Sequence, residues 1–213
     1  MKIKICGLFR EEDIGFANEA GPDYIGFVFA KSRRQVSPEQ AARLRSRLRE
    51  GIVPVGVFVN APVEEIATLY RDGLIDIAQL HGSEDAAYIR RLKTHPAAGS
   101  RPAIPVIKTL VVENRDPHLP PDLPADYILL DSGAGSGTPF DWTLLTASPR
   151  ISSLLTPHYL PCFLAGGIDR YTIEKAMSFR PYGIDLSSGA ETGGLKDREK
   201  MIDLVGKLRK GEP

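Results

Sequence analysis

A cysteine ends the short β-prone run Lys2-Ile3-Lys4-Ile5-Cys6, and Gly7 turns the chain directly after it. The run Tyr127-Ile128-Leu129-Leu130-Asp131 repeats the arrangement with a carboxylate in place of the thiol. In a βα barrel, the C-terminal strand ends are where catalytic side chains sit. A thiolate removes protons and a carboxylic acid donates them, so Cys6 and Asp131 are candidates for a general base and a general acid facing one pocket. Each also has a plain alternative. Free cysteines are commonly buried as small apolar groups. A carboxylate beside a buried run is costly unless it is paired, caps a helix or is functional.

Two later loops look suited to an anion. Ala165-Gly166-Gly167-Ile168-Asp169 follows the seventh β-like run, and Leu186-Ser187-Ser188-Gly189 follows the eighth. Loops after strands seven and eight commonly hold phosphate in this kind of barrel. Glycines let backbone N–H groups approach phosphate oxygens, and Ser187 and Ser188 add hydroxyl donors. Two tight βα turns are the alternative. Arg34, in Lys31-Ser32-Arg33-Arg34, follows the second run and can grip a carboxylate with two parallel hydrogen bonds. Gln79, His81 and Lys108 lie at or just beyond strand ends as polar candidates. Lys108 suits either an anion contact or a Schiff base. The stretch Gly133-Ala134-Gly135-Ser136-Gly137 reads as a loop able to close over a ligand. Cys162 opens a late run and reads as core.

The elements that must place these residues alternate in type. Strands are expected near residues 3–6, 24–29, 53–59, 75–80, 104–110, 127–131, 162–165 and 183–187. Several are continuous apolar runs, as parallel strands covered by helices on the outside should be. Helix starts fall between them. Ser37-Pro38-Glu39-Gln40 reads as a capping box with proline in the first helical position. Ala61-Pro62 opens the next helix. Ser83-Glu84-Asp85 opens a fourth with an acidic first turn that complements the helix dipole. Asp169 can cap a helix buried through Ile173, Ala176 and Met177. Residues 196–210 close the chain with Ile202, Val205 and Leu208 inward.

Eight strands with crossovers predict an α/β protein, a single-domain (β/α)8 TIM barrel over residues 1–213. The fifth and sixth crossovers are expected to be irregular. Pro117, Pro120, Pro121 and Pro124 crowd the fifth, and proline breaks helices. An open doubly wound sheet is the structural rival, but no dinucleotide glycine fingerprint follows the first strand.

Composition narrows the function. At 213 residues the chain suits one domain and lies near the lower end for an eight-fold barrel. Hydrophobic residues are 42% and charged residues 25%, ordinary for a globular protein. Lys+Arg and Asp+Glu are 27 each, so no global field favours nucleic acid or an anionic membrane. No apolar run reaches the ~18 residues of a membrane span, and no secretory signal opens the chain. A cytoplasmic protein with reduced thiols is expected. Two cysteines and the histidines His81, His95, His118 and His158 show no metal-ligand spacing, so no metal is expected.

Together these residues resemble the phosphoribosylanthranilate isomerase family. The resemblance is carried by Lys4-Ile5-Cys6-Gly7-Leu8, Gly26-Phe27-Val28-Phe29, Lys31-Ser32 before Arg34, and Gln79-Leu80-His81-Gly82. It continues through Leu129-Leu130-Asp131-Ser132, Phe140-Asp141-Trp142, Leu164-Ala165-Gly166-Gly167 and Asp185-Leu186-Ser187-Ser188-Gly189. The matches run in order over nearly the whole chain. Each is modest, and the set is highly specific. Arg33 stands where the family usually has proline, Gln35 where an aromatic is common, Ala134-Gly135-Ser136-Gly137 in place of Gly-Gly-Thr-Gly, and Pro139 before Phe140.

The resemblance implies an Amadori rearrangement in tryptophan synthesis, without cofactor, on a small phosphorylated substrate. It implies Cys6 as general base, Asp131 as general acid, Arg34 on the anthranilate carboxylate and Asp185 near the sugar hydroxyls. From their strand-end positions, Gln79, His81 and Lys108 are expected as further substrate contacts. Gly166, Gly167, Ser187, Ser188 and Gly189 would hold the phosphate. Monomer and homodimer are both open. Three other readings compete: a Schiff-base aldolase using Lys108, a non-catalytic phosphosugar-binding barrel, and an isomerase of the histidine-pathway aminoaldose. The last normally uses two aspartates, and Cys6 argues against it.

Overall fold

In a computed structural model, residues 1–112, 122–131, 145, 148–156 and 159–211 are described here, without the side chain of Arg150. Eight parallel strands close into a barrel: β1 (Lys2–Cys6), β2 (Tyr24–Val28), β3 (Val53–Phe58), β4 (Ile77–Leu80), β5 (Val106–Val111), β6 (Tyr127–Asp131), β7 (Cys162–Leu164) and β8 (Gly183–Leu186). β8 pairs back onto β1, with Lys4 opposite Asp185, so the open doubly wound sheet is excluded. Helices α1 (Glu11–Ala20), α2 (Pro38–Ser46), α3 (Val63–Arg71), α4 (Ala86–Lys93), α5 (Pro149–Leu154), α6 (Ile173–Ser178) and α7 (Arg198–Lys210) lie on the outside. A short antiparallel hairpin, β9 (Glu191–Thr192) with β10 (Leu195–Lys196), precedes α7.

The strands are apolar on both faces because each face is buried differently. Outward residues such as Ile3, Ile5, Ile25, Phe27, Ile128 and Leu130 join the large core beneath the helices. Inward residues Tyr24, Val55, Ile77, Ile107, Leu129 and Phe163 fill the lower barrel as a second cluster. Tyr24 meets Phe163 edge-on at 5.6 Å between centroids. Alternation along each strand then lifts the next inward residues, two positions on, toward the upper mouth.

Local signals place the helices, with corrections. Ser37 caps α2 by accepting from the Gln40 amide, and Pro38 takes the first helical position. The reciprocal half of the expected capping box is missing: the Gln40 side chain donates to the Phe9 carbonyl instead. α4 begins one residue later than the acidic-turn reading implies. Asp85 is its cap, while Glu84 turns inward and is buried. Asp169 accepts from the Tyr171 and Thr172 amides, organising the turn before α6 rather than its first residue. Met177 and Ile202 are only half-buried; in α7, Met201, Leu204, Val205 and Leu208 face the core.

In the sixth crossover α5 has six residues; residues 113–121 of the fifth crossover and 132–144 of the sixth, on which the expected irregularity mostly falls, lie outside the described residues. Pro117, Pro120, Pro121, Ser132, the glycine-rich run 133–137, Pro139, Phe140-Asp141-Trp142, His118 and His158 lie outside the described residues. No helix among the described residues is long and apolar enough to cross a membrane.

Candidate active site

The upper barrel mouth opens into a cavity of about 490 Å³. Cys6, Arg34, Gln79, His81, Asp131, Gly166, Gly167, Asp185, Ser187 and Ser188 all line it. Their assembly follows from strand parity. Cys6 stands two residues after Lys4, His81 two after Gln79, Asp131 two after Leu129, and Ser187 two after Asp185, each on the inward face of its strand.

Lys108 does not belong to this set. Its neighbours Ile107 and Thr109 take the inward positions, so Lys108 points to the outer layer. There it donates to the buried Glu84 carboxylate at 2.9 Å and to the Gly82 carbonyl at 2.6 Å. The lysine of the aldolase reading is thus an ion-pair partner beneath the β4 turn. Burial alone would raise Glu84, but the Lys108 ammonium and the Asn60 amide outweigh it and hold the carboxyl below its ordinary value.

Cys6 is placed by glycine on the neighbouring strand. Gly26 pairs with Cys6, and a Cβ there would stand 2.7 Å from the sulfur. Although Cys6 opens partly onto the cavity, the surrounding protein pushes its thiol up, while the Lys4 ammonium opposes this by charge and hydrogen bonding. Lys4 is wholly buried and donates to Asp185 Oδ2 at 2.9 Å. Burial works against its charge, but Asp185 and Cys6 more than offset that and hold the ammonium above its ordinary range. Burial also raises Asp185, with Lys4 opposing. We take the pair as ionised, because a fully buried ammonium 2.9 Å from a carboxylate is stabilised by that charge.

Asp131 faces His81, with Oδ2 at 3.2 Å from Nε2. The Gln79 amide and the Thr109 hydroxyl both stand 3.3 Å from His81 Nδ1. Oε1 of Gln79 and Oδ1 of Asp185 are buried acceptors without a partner among the described residues.

The loops after β7 and β8 take the conformation their glycines allow. Gly166 and Gly167 have φ of +90° and +63°, which L side chains rarely adopt. Gly189 does not line the cavity. It lets the two loops touch: a Cβ there would fall 2.0 Å from the Ile168 carbonyl oxygen.

Arg34 reaches the cavity across Gly7, but much of its donor fork is engaged. Nε and a terminal nitrogen bind the two oxygens of Glu191 at 2.7 and 2.9 Å. Glu191 also accepts from Arg33 at 2.7 Å and from the buried Lys196 at 2.8 Å. Burial alone would raise its carboxyl, but Arg34 and Lys196 together hold it below its ordinary value. Burial lowers Lys196 despite Glu191. Lys4, Thr109, Glu191 and Lys196 were not singled out from sequence. Strand parity flags Lys4 and Thr109; Glu191 and Lys196 lie in a hairpin with no periodic signal. No cluster of three or more His, Cys, Asp or Glu among the described residues is arranged to hold a metal ion.

Comparison with known proteins covers almost the whole chain. The family model described as N-(5'phosphoribosyl)anthranilate (PRA) isomerase matches residues 3–207. An N-(5'-phosphoribosyl)anthranilate isomerase of Endomicrobium trichonymphae is 44% identical over 214 residues, covering 98% of each chain. The crystal structure of phosphoribosyl anthranilate isomerase from Thermus thermophilus superposes with a TM-score of 0.82 at 34% identity, over 100% of both chains. Another phosphoribosyl anthranilate isomerase, solved in complex with reduced 1-(o-carboxyphenylamino)-1-deoxyribulose 5-phosphate, has a TM-score of 0.75 at 28% identity over 99% of both.

Proposed function

The chain belongs to the N-(5'-phosphoribosyl)anthranilate isomerase family, and we propose from that premise that Cys6 and Asp131 perform an Amadori rearrangement in its barrel mouth. The substrate is N-(5-phosphoribosyl)anthranilate and the product 1-(o-carboxyphenylamino)-1-deoxyribulose 5-phosphate, in the tryptophan pathway of the cytoplasm. The observation that carries the assignment is that a thiol and a carboxyl group from β1 and β6 share one cavity with the glycine–serine loops after β7 and β8.

Asp131 gives its proton to the furanose ring oxygen. The C1–O bond breaks, and the anilino nitrogen stabilises C1 as a protonated Schiff base. Cys6, as thiolate, takes the proton from C2, and that electron pair forms the enolamine. Tautomerisation places a proton on C1 and leaves a ketone at C2. C1 is reduced and C2 oxidised within one molecule, so the reaction needs no external redox partner. Each positioned group typically contributes roughly 10²–10⁴ in rate.

The remaining groups bind. Gly166 and Gly167 offer backbone N–H groups to the phosphate, Ser187 and Ser188 their hydroxyls, and Gly189 holds the two loops together. Asp185 Oδ1 and Gln79 Oε1 supply unused acceptors for sugar hydroxyls. Arg34 receives the anthranilate carboxylate, with Glu191 fixing its guanidinium. His81 orients Asp131.

Calorimetry with the reduced product analogue tests the division of labour. The wild type and Cys6→Ala should bind it with similar affinity, while only the wild type turns substrate over. Loss of binding in Cys6→Ala, or turnover near the wild-type rate, contradicts the assignment.

A further inference from the structure

A lysine wholly buried inside a barrel, two residues before the proposed base, calls for an explanation beyond stability. Lys4 and Cys6 share the inward face of β1, and Lys4 lies opposite Asp185 in the β1–β8 register. Its ammonium donates to the Asp185 carboxylate at 2.9 Å, and its charge acts on the Cys6 sulfur two residues on along the same face. Replacing a buried ion pair by apolar residues is often neutral or stabilising, so stability alone is a weak reason for this one. A base that must ionise inside a barrel needs a fixed cation beside it.

We propose that Lys4 is the positioning residue that lets Cys6 ionise, its ammonium being shared between the sulfur and the Asp185 carboxylate. Lys4 stabilises the thiolate when Cys6 releases its proton, and Asp185 restrains that release by competing for the ammonium and by its own negative charge. The other charged or titratable groups around the sulfur are Lys196 from β10, Arg34 from the loop after β2, Asp131 from β6 and His81 after β4. Lys196 works in the same sense as Lys4 but is committed to Glu191 and the Ser187 carbonyl. Protein pushes the Cys6 thiol up as a whole, and Lys4 is the largest opposing influence.

The inference rests on Cys6 acting as the base, but its test needs no substrate. Iodoacetamide alkylation is followed against pH in the full chain, with Cys6→Ala as the blank. Cys162 is buried and its thiol is pushed up to about 12, so it reacts little near neutrality. Lys4→Met should move the midpoint up and slow alkylation near neutral pH by about tenfold or more. Asp185→Asn should move the midpoint down and speed alkylation. General damage to the barrel would not move the two variants in opposite directions. If Lys4→Met does not fold, Lys4→Gln takes its place in the same measurement, with the same upward midpoint expected. A midpoint unmoved in Lys4→Met, or one that does not fall in Asp185→Asn, overturns the proposal. Absent turnover in the wild type would instead count against the isomerase assignment.

Discussion

Arg34 and Glu191 join the loop after β2 to the hairpin before α7 by two parallel hydrogen bonds, at 2.7 and 2.9 Å. The geometry makes Glu191 the clamp that orients the arginine at the cavity wall. Glu191→Gln should therefore raise KM by about tenfold while kcat changes less, because the loss falls on ground-state grip. Steady-state kinetics checks it. An unchanged KM would show that Arg34 is oriented without Glu191.

Acid stability follows from the same carboxylate. Glu84 and Glu191 are both held below their ordinary values in the folded chain. A depressed folded pKa contributes stability that is present above the unfolded value of ~4.3 and lost as pH falls through the folded one. Chemical denaturation between neutral pH and the low carboxylate range should show stability falling with acid. The fall should be shallower in Glu84→Gln and Glu191→Gln. An equal slope in all three proteins would contradict the linkage.

Lys108 should behave as a structural residue. Lys108→Met leaves Glu84 buried without its cation, which typically costs about 3–5 kcal/mol. Thermal unfolding should drop by several degrees, while borohydride in the presence of a sugar phosphate traps nothing on the wild-type lysine. A trapped adduct at Lys108 would revive the aldolase reading.

Gly189 sets the contact between the loops after β7 and β8. Gly189→Ala forces a methyl group against the Ile168 carbonyl, where a Cβ would stand only 2.0 Å away. Overpacking of this kind costs roughly 1–3 kcal/mol. The shift of the loops should raise the dissociation constant for inorganic phosphate. Unchanged phosphate binding would remove these loops from the site.

How far the sequence reaches is visible in particular residues. Most strands were legible because both of their faces are apolar, Asp131 because it closes such a run, and Cys6 because it closes a short β-prone run before a glycine turn. Lys108 was misplaced because distance from a strand end was weighed without parity: Ile107 and Thr109 own the inward face. Lys4 stayed hidden because Lys2-Ile3-Lys4 reads as a strand with one wet face, yet Lys2 is 46% exposed and Lys4 0%. Only the closing pair with Asp185, 181 residues away, shows the difference. Glu191 was illegible for a similar reason, since its partners Arg33 and Arg34 lie 158 and 157 residues away in the chain.

The most direct test is the fluorescence of phosphoribosylanthranilate, made in situ, followed with the wild type, Cys6→Ala and Asp131→Asn. Rapid decay with the wild type, and decay no faster than spontaneous hydrolysis with either variant, is the result expected if Cys6 is the base and Asp131 the acid. Decay near the wild-type rate in either variant would contradict that pairing of roles.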